Sequence, residues 1–234
     1  MEKQKELNNL FDSWKNHYEK EYKNDSYKKL FEKPEYKDLE KCFFPDGYLS
    51  EQEECKILFV SRESRVPNDE VLGNNSINIK NKNNYTEFYM RNVVNDIKKK
   101  GNDGGIRYPR HMAAIKDAIS KENKGKKWSD FEENNCFETL KDCGYMNLNK
   151  HGGKAKTPMK PFEGLVKADK CYIKKQIEIM NPNIIVLLGA NLYDLFCNEG
   201  FFKGYIRGET LFETAHPNAR INYINYTKNC KPND

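Results

Sequence analysis

The sequence predicts an α/β fold, a three-layer α/β/α sandwich built on a four-stranded parallel sheet, with a helical extension at the N-terminus. Four short apolar runs alternate with segments whose apolar residues recur at helical spacing, which is the pattern of β-α-β units. One of these runs, IIVLL at residues 184–188 of the predicted strand 183–188, is continuously apolar, as expected for a strand that helices cover on both faces of a parallel sheet.

The first element is a helical extension, predicted for residues 1–50 and packed on an α/β domain that comprises residues 51–234. Its apolar side chains recur three or four residues apart, which indicates an amphipathic helix. These residues are Leu7, Leu10, Phe11, Trp14, Tyr18 and Tyr22. A second short helix is predicted to end at Phe31, before Pro34. The simplest role for both helices is packing for stability.

The strands and helices of the domain follow in alternation. The predicted strands cover residues 56–61, 144–149, 183–188 and 210–216. Helical spacing marks the segments 85–99 and 110–121 and a helix that contains Cys171 and stops at Asn181-Pro182. The Asn-rich stretch 66–84 and the lysine-containing stretch 121–135 are predicted loops.

The composition is that of a globular and mildly basic chain. Aromatic residues make up 12% of the 234 residues, which is too many for a disordered chain, and the net charge of +5 is compatible with nucleic-acid binding. No apolar run is long enough to span a membrane. Because the first ten residues, MEKQKELNNL, contain no apolar signal region, we expect a cytoplasmic protein whose seven cysteines are reduced.

Polar residues follow each predicted strand at the point where it ends. These ends read Ser61-Arg62-Glu63-Ser64, then Asn147-Leu148-Asn149-Lys150 with His151-Gly152-Gly153, then Gly189-Ala190-Asn191, and last His216-Pro217-Asn218-Ala219-Arg220. Ligands bind outside the carboxyl ends of the strands in open parallel sheets. The sequence therefore predicts one cleft lined by a carboxylate, an amide, a histidine and several cations. Taken singly, each group is more typical of an ordinary turn, cap or loop.

The order of these motifs resembles that of the uracil-DNA glycosylase superfamily over roughly residues 55–226. The apolar strand with S-R-E-S, the N-x-x-K run, the segment CYIKKQIEIMNPNIIVLLG and the final HPNAR carry the resemblance. The resemblance implies a glycosylase-like α/β/α fold for the domain. It also implies hydrolysis of the N-glycosidic bond of uracil or a related deaminated base in DNA.

The resemblance also implies a role for each strand end. Glu63 stands where the family positions the catalytic water, and His216 stands where a donated hydrogen bond stabilises the leaving base. Asn147 matches the amide that reads the extruded base. Phe88, with Tyr85 as the other candidate, is the aromatic residue expected to stack on that base. The residues expected to contact DNA phosphates are Ser64, Lys150, Asn218 and Arg220.

The chain departs from the family pattern at several places. Ser61 replaces a glycine, Ser64 a proline and Asn218 a serine. Only Cys171 lies near a cysteine position of the iron–sulfur members, so we expect a divergent member with no cluster, no metal and no other cofactor. The expected partner is single-stranded or uracil-containing duplex DNA, with no membrane, and we expect a monomer.

Two other functions stay open at this point. One is a catalytically inactive module of the same fold that binds nucleic acid or a protein partner, which the replacements of the supporting residues favour. The other is a nucleotide-handling α/β enzyme with phosphate at Gly152-Gly153, although the chain lacks the G-x-x-x-x-G-K-[ST] loop.

Overall fold

The structure is a computed structural model, and its described part comprises residues 2–21, 43, 45–49, 53–65, 107–120, 136, 138–153, 159–189, 191–201 and 210–214. The helices are α1 (Glu2–Glu21), α2 (Arg107–Ser120), α3 (Met159–Ala168), α4 (Lys170–Met180) and α5 (Leu192–Glu199). The strands are β1 (Ile57–Arg65), β2 (Cys143–Gly153), β3 (Ile184–Leu188) and β4 (Leu211–Thr214).

Within the described residues, four strands form one sheet in the order β2-β1-β3-β4, and every neighbouring pair is parallel. The predicted parallel α/β sheet is therefore confirmed. The first two strands are longer than predicted. They stay paired beyond their apolar runs, through Ser61 with Asn147 and Glu63 with Asn149, because backbone hydrogen bonds between strands do not require apolar side chains.

Side chains of alternate strand residues enter two separate hydrophobic clusters, one on each face of the sheet. The first face carries Leu58 and Val60 of β1 and packs with side chains from α1, α3 and α4. The second face carries Ile57 and Phe59 of β1 and packs with side chains from α2. The sheet is thus buried by helices on both of its faces.

The predicted N-terminal amphipathic helix is present as α1. Leu7, Phe11 and Trp14 are buried in the same cluster as the strand residues of the first face. The Trp14 indole stacks on the ring of Tyr172 from α4, with centroids 5.3 Å apart and planes 14° from parallel. The ring of Phe43 meets the indole edge-on at 5.9 Å. The predicted second helix that ends at Phe31 lies outside the described residues.

The predicted end of the helix before β3 is confirmed. Helix α4 is followed by Asn181, which adopts a left-handed conformation (φ 45°, ψ 57°) and donates its backbone N–H to the carbonyl of Ile177. Asparagine tolerates this conformation better than most residues, and Pro182 cannot continue a helix. Helix α2 corresponds to the predicted segment 110–121, whereas the predicted helix 85–99 and the loops 66–84 and 121–135 lie outside the described residues.

The described helices include none that combines the length and the apolar character needed to cross a membrane.

A charged cluster ties α2 to the start of both long strands. The carboxylate of Asp142, just before β2, accepts a hydrogen bond from the ammonium of Lys116 on α2 and lies 3.2 Å from the ammonium of Lys56. Burial raises the pKa of Asp142, but the two ammonium groups outweigh burial and hold this pKa below its usual range. The ionised pair therefore stabilises the fold near neutral pH.

We expect Lys116→Met to lower the free energy of unfolding at pH 7 and to lose this effect in acid. A carboxyl group whose pKa is depressed by folding contributes stability above its unfolded pKa of about 3.9. That contribution disappears as the pH falls through the lower folded pKa. Urea unfolding of both proteins between pH 7 and pH 3 measures the difference. Lys141, whose ion pair with Glu138 lies at the exposed surface, provides the control variant Lys141→Met. If Lys116→Met lowered the free energy of unfolding equally at every pH, the result would contradict a depressed pKa for Asp142.

Candidate functional site

The strand order places the candidate site at the carboxyl end of β1. The chain passes from β1 to β2 on one side and returns to β3 on the other, so the order reverses between β1 and β3. In open parallel sheets, ligands bind in the crevice outside the carboxyl ends of the strands at such a point. Strand β3 ends there at Leu188 and is followed by Gly189, whose φ of 143° favours glycine. The predicted site residues near this point lie at the ends of β1 and of its other neighbour, β2.

The register of the two long strands brings two predicted site residues to this edge. Ser61 pairs with Asn147, and Glu63 pairs with Asn149 on the parallel neighbour. The backbone of Glu63 is thus two residues beyond the position opposite Asn147, or about 7 Å along the strand. The register then shifts between Glu63 and Arg65. The side chains of Glu63, Ser64 and Arg65 lie outside the described part of the structure.

The side chain of Asn147 is buried on the second face of the sheet, the face that α2 covers. It follows Tyr145 by two residues, and its Oδ1 accepts a hydrogen bond from the Tyr145 hydroxyl at 3.1 Å. Only 2% of Asn147 is exposed. A base could reach this amide only after the groups that cover it had moved.

Lys150 corrects one prediction. Its side chain is fully buried, and its ammonium lies 2.5 Å from Asp46 Oδ1 and 2.7 Å from the carbonyl oxygen of Asn147. The rings of Phe11 and Trp14 cover it at 5.7 and 5.4 Å from their centroids. The predicted contact of Lys150 with a DNA phosphate is therefore wrong in this structure. The physical reason is strand alternation, because Lys150 follows Leu148 on the face that packs under α1.

Asp46 is the partner of this lysine, and it was not among the site residues predicted from the sequence. It is fully buried, and its carboxylate accepts hydrogen bonds from the Asn147 backbone N–H at 2.6 Å, from Lys150 and from Gln176 Nε2 at 2.8 Å. Asp46 lies in a Pro-Asp-Gly run, which is typical of a turn and gave no sign of burial. The only available signal was Gln176, a polar residue on the apolar stripe of α4.

The electrostatics of this pair are those of a buried ion pair. Burial lowers the pKa of Lys150, whereas the carboxylates of Asp46 and Asp169 act in the opposite direction. The desolvation of two charges is costly and is offset only when the geometry and the additional hydrogen bonds are good. Here Asn147 and Gln176 supply additional hydrogen bonds to the pair.

Residues 46–49 cover the outer edge of β2. The N–H of Leu49 donates to the carbonyl of Cys143 at 3.0 Å, and the N–H of Tyr145 donates to the carbonyl of Gly47 at 2.8 Å. Farther along the same edge, the N–H and carbonyl of Asn147 bind Asp46 and Lys150. The ion pair therefore completes the hydrogen bonding where backbone pairing with residues 46–49 stops.

Arg62, which precedes Glu63 on β1, packs against α3. Its guanidinium lies 4.7 Å from the centroid of the Phe162 ring, in a cation–π arrangement. Phe162 belongs to the core of the first face. Arg62 thus lies over the sheet face opposite to the one that buries Asn147.

Four of the predicted site residues lie outside the described residues, namely Phe88, His216, Asn218 and Arg220. Gly152 and Gly153, the place of phosphate in the nucleotide-handling alternative, belong to the end of β2, where Gly153 pairs with Arg65. Within the described part of the chain, no group of three or more His, Cys, Asp or Glu residues is arranged to hold a metal ion. Burial raises the pKa of Cys143 to about 12, so this thiol is protonated and unreactive at neutral pH.

Comparison of the chain with protein-family models, with curated proteins and with solved structures gave no significant match.

The buried ion pair gives a prediction about stability. Lys150→Met leaves the Asp46 carboxylate buried without its counter-charge, and we expect it to lower the free energy of unfolding by about 3–5 kcal/mol. Adding Asp46→Asn removes the uncompensated charge and is expected to restore part of this loss. Urea unfolding of the single and double variants measures both effects.

The matched control is Lys175→Met, which removes an exposed ion pair with Glu178 on α4. Exposed pairs of this kind contribute at most about 1 kcal/mol. Equal destabilisation by Lys150→Met and Lys175→Met would contradict the prediction that loss of Lys150 leaves a costly uncompensated charge on Asp46.

Proposed function

We propose that the protein is a DNA base-excision glycosylase that hydrolyses the N-glycosidic bond of uracil or a related deaminated base. The observation that carries the proposal is the register of β1 and β2. It brings the backbone of a carboxylate residue, Glu63, and the amide residue Asn147 to one carboxyl edge of the sheet, next to the point where the strand order reverses. The resemblance of the strand-end motifs to the uracil-DNA glycosylase superfamily supports the same activity.

The proposed chemistry assigns one task to each group. Asn147 reads the edge of the extruded base, since an amide both donates and accepts hydrogen bonds and so matches O4 and N3–H of uracil. Glu63 stabilises the cation-like sugar and orients the attacking water. His216 donates a hydrogen bond to the base as negative charge develops on it. No metal or other cofactor has a role in this mechanism.

The proposed partner is single-stranded or uracil-containing duplex DNA, bound by a monomer. Because Lys150 is buried, the remaining predicted phosphate contacts are Ser64, Asn218 and Arg220, and Phe88 is the proposed stacking residue. The net charge of +5 favours this polyanionic partner. The proposed setting is the cytoplasm.

A catalytically inactive module of the same fold is the second candidate, and the burial of the Asn147 side chain favours it. Only 2% of this residue is exposed, and its Oδ1 already accepts a hydrogen bond from the Tyr145 hydroxyl. A protein that only binds nucleic acid or a protein partner through its surface would not need this amide to be accessible. The two candidates differ in whether a base is released.

We expect Glu63→Gln to reduce base release about 10²–10³-fold, because the variant keeps the shape of the side chain and loses the charge that stabilises the transition state. Single-turnover cleavage of a uracil-containing oligonucleotide measures the rate, and a filter-binding assay measures DNA affinity, which should change little. Glu54→Gln is the matched control, since Glu54 is exposed just before β1. Wild-type protein that binds DNA and releases no uracil or other deaminated base would refute the enzyme and leave the binding module.

Arg220→Met should reduce the salt dependence of DNA binding. Each neutralised phosphate contributes about −0.7 to −0.9 to the slope of log K against log salt concentration, so loss of one contact makes the slope shallower by that amount. Lys175→Met, which changes an exposed side chain in the middle of α4, should leave the slope unchanged. Binding that does not respond to salt in the wild-type protein would contradict a DNA partner.

A further inference from the structure

We propose that Asp46 and Lys150 are positioning residues for Asn147, and that their buried ion pair fixes the backbone of the residue that reads the base. The inference rests on the proposed function and adds two residues to it. Neither residue touches the base in this proposal. They act by holding the strand segment from which the Asn147 amide projects.

The geometry of the pair supports this role. The carboxylate of Asp46 accepts the backbone N–H of Asn147 at 2.6 Å, and the ammonium of Lys150 donates to the backbone carbonyl of the same residue at 2.7 Å. The two charged groups are joined to each other at 2.5 Å. Both backbone polar groups of Asn147 are thus bound to one ion pair, in short charge-assisted hydrogen bonds.

The ion pair and the Asn147 side chain lie on opposite faces of the sheet. Lys150 lies on the first face, beneath Phe11 and Trp14 of α1, whereas the Asn147 side chain lies on the second face with Tyr145. A group that binds a base at Asn147 would therefore contact neither charged residue. The Tyr145 hydroxyl constrains the amide itself, so the backbone and the side chain of Asn147 are both held.

An ordinary edge strand would not need this arrangement. Its outward N–H and carbonyl groups bind water or a neighbouring strand, and residues 46–49 already pair with β2 through Tyr145. A buried ion pair is a costly way to satisfy two further backbone groups, and in some proteins such a pair selects one specific conformation. The conformation selected here is that of Asn147.

The effect expected on function is a loss of alignment. Displacement of a reacting or binding group by about 1 Å costs on the order of 10²-fold in rate. We therefore expect Asp46→Asn to lower the rate constant for base release by up to about 10²-fold, with little change in the affinity for the DNA backbone. Asp46→Asn keeps the size of the side chain and removes the charge that holds Lys150.

The experiment has a spectroscopic arm that does not depend on activity. In ¹⁵N-labelled full-length protein, the backbone amide proton of Asn147 should resonate far downfield and exchange slowly, because it donates a short hydrogen bond to a carboxylate. In Asp46→Asn this resonance should move upfield, and the side-chain amide resonances of Asn147 should move with it. Lys116→Met is the control, since it breaks an ion pair at the amino edge of the sheet. Unchanged Asn147 resonances in Asp46→Asn would overturn the proposal.

The kinetic arm compares the same two variants on uracil-containing DNA at a temperature where both are folded. Asp46→Asn should lower base release by far more than Lys116→Met does. Equal rates in the two variants would show that the ion pair only stabilises the fold, and would also overturn the positioning role. If the wild-type protein releases no base, the proposed function fails by itself, and the Asn147 resonances alone decide whether the pair holds this residue.

Discussion

The buried ion pair between Asp46 and Lys150 is the interaction on which the packing of α1 and α4 against β2 depends. The Asp46 carboxylate joins three parts of the chain, because it binds β2, the Lys150 ammonium and Gln176 of α4. Helix α1 places Phe11 and Trp14 over the ammonium and so helps to remove it from water. Charges that are removed from water are costly unless they are paired and hydrogen bonded, and the contacts of Asp46 with Lys150, β2 and α4 offset this cost.

Much of the fold could be predicted from the sequence because side-chain periodicity reports burial directly. The apolar runs at 57–60 and 184–188 predicted two central strands, and the dipeptide Asn181-Pro182 predicted the end of α4. The lengths of β1 and β2 were underestimated, because their last residues pair through backbone groups and carry polar side chains. Pairing of this kind depends on the neighbouring strand, which no local pattern reveals.

The candidate site was predicted less well, and for a different reason. A parallel arrangement implies that strand ends meet, so the approach of β1 and β2 near Glu63 and Asn147 follows from the fold. The environment of Lys150 depends instead on which distant segment covers the strand, and a lysine in a polar run is normally exposed. The burial of Asp46 could not be predicted for the same reason, since its partners lie more than 100 residues away along the chain.

The cover on the outer edge of β2 has a consequence for association with other chains. An exposed edge strand is a template on which another polypeptide can add a strand, either as a bound peptide or in aggregation. In this protein the N–H of Tyr145 and the carbonyl of Cys143 are used by residues 46–49, and both backbone groups of Asn147 are used by charged side chains. The chain thus covers the edge of its own strand from Cys143 to Asn147, and this stretch of β2 is closed to β-augmentation.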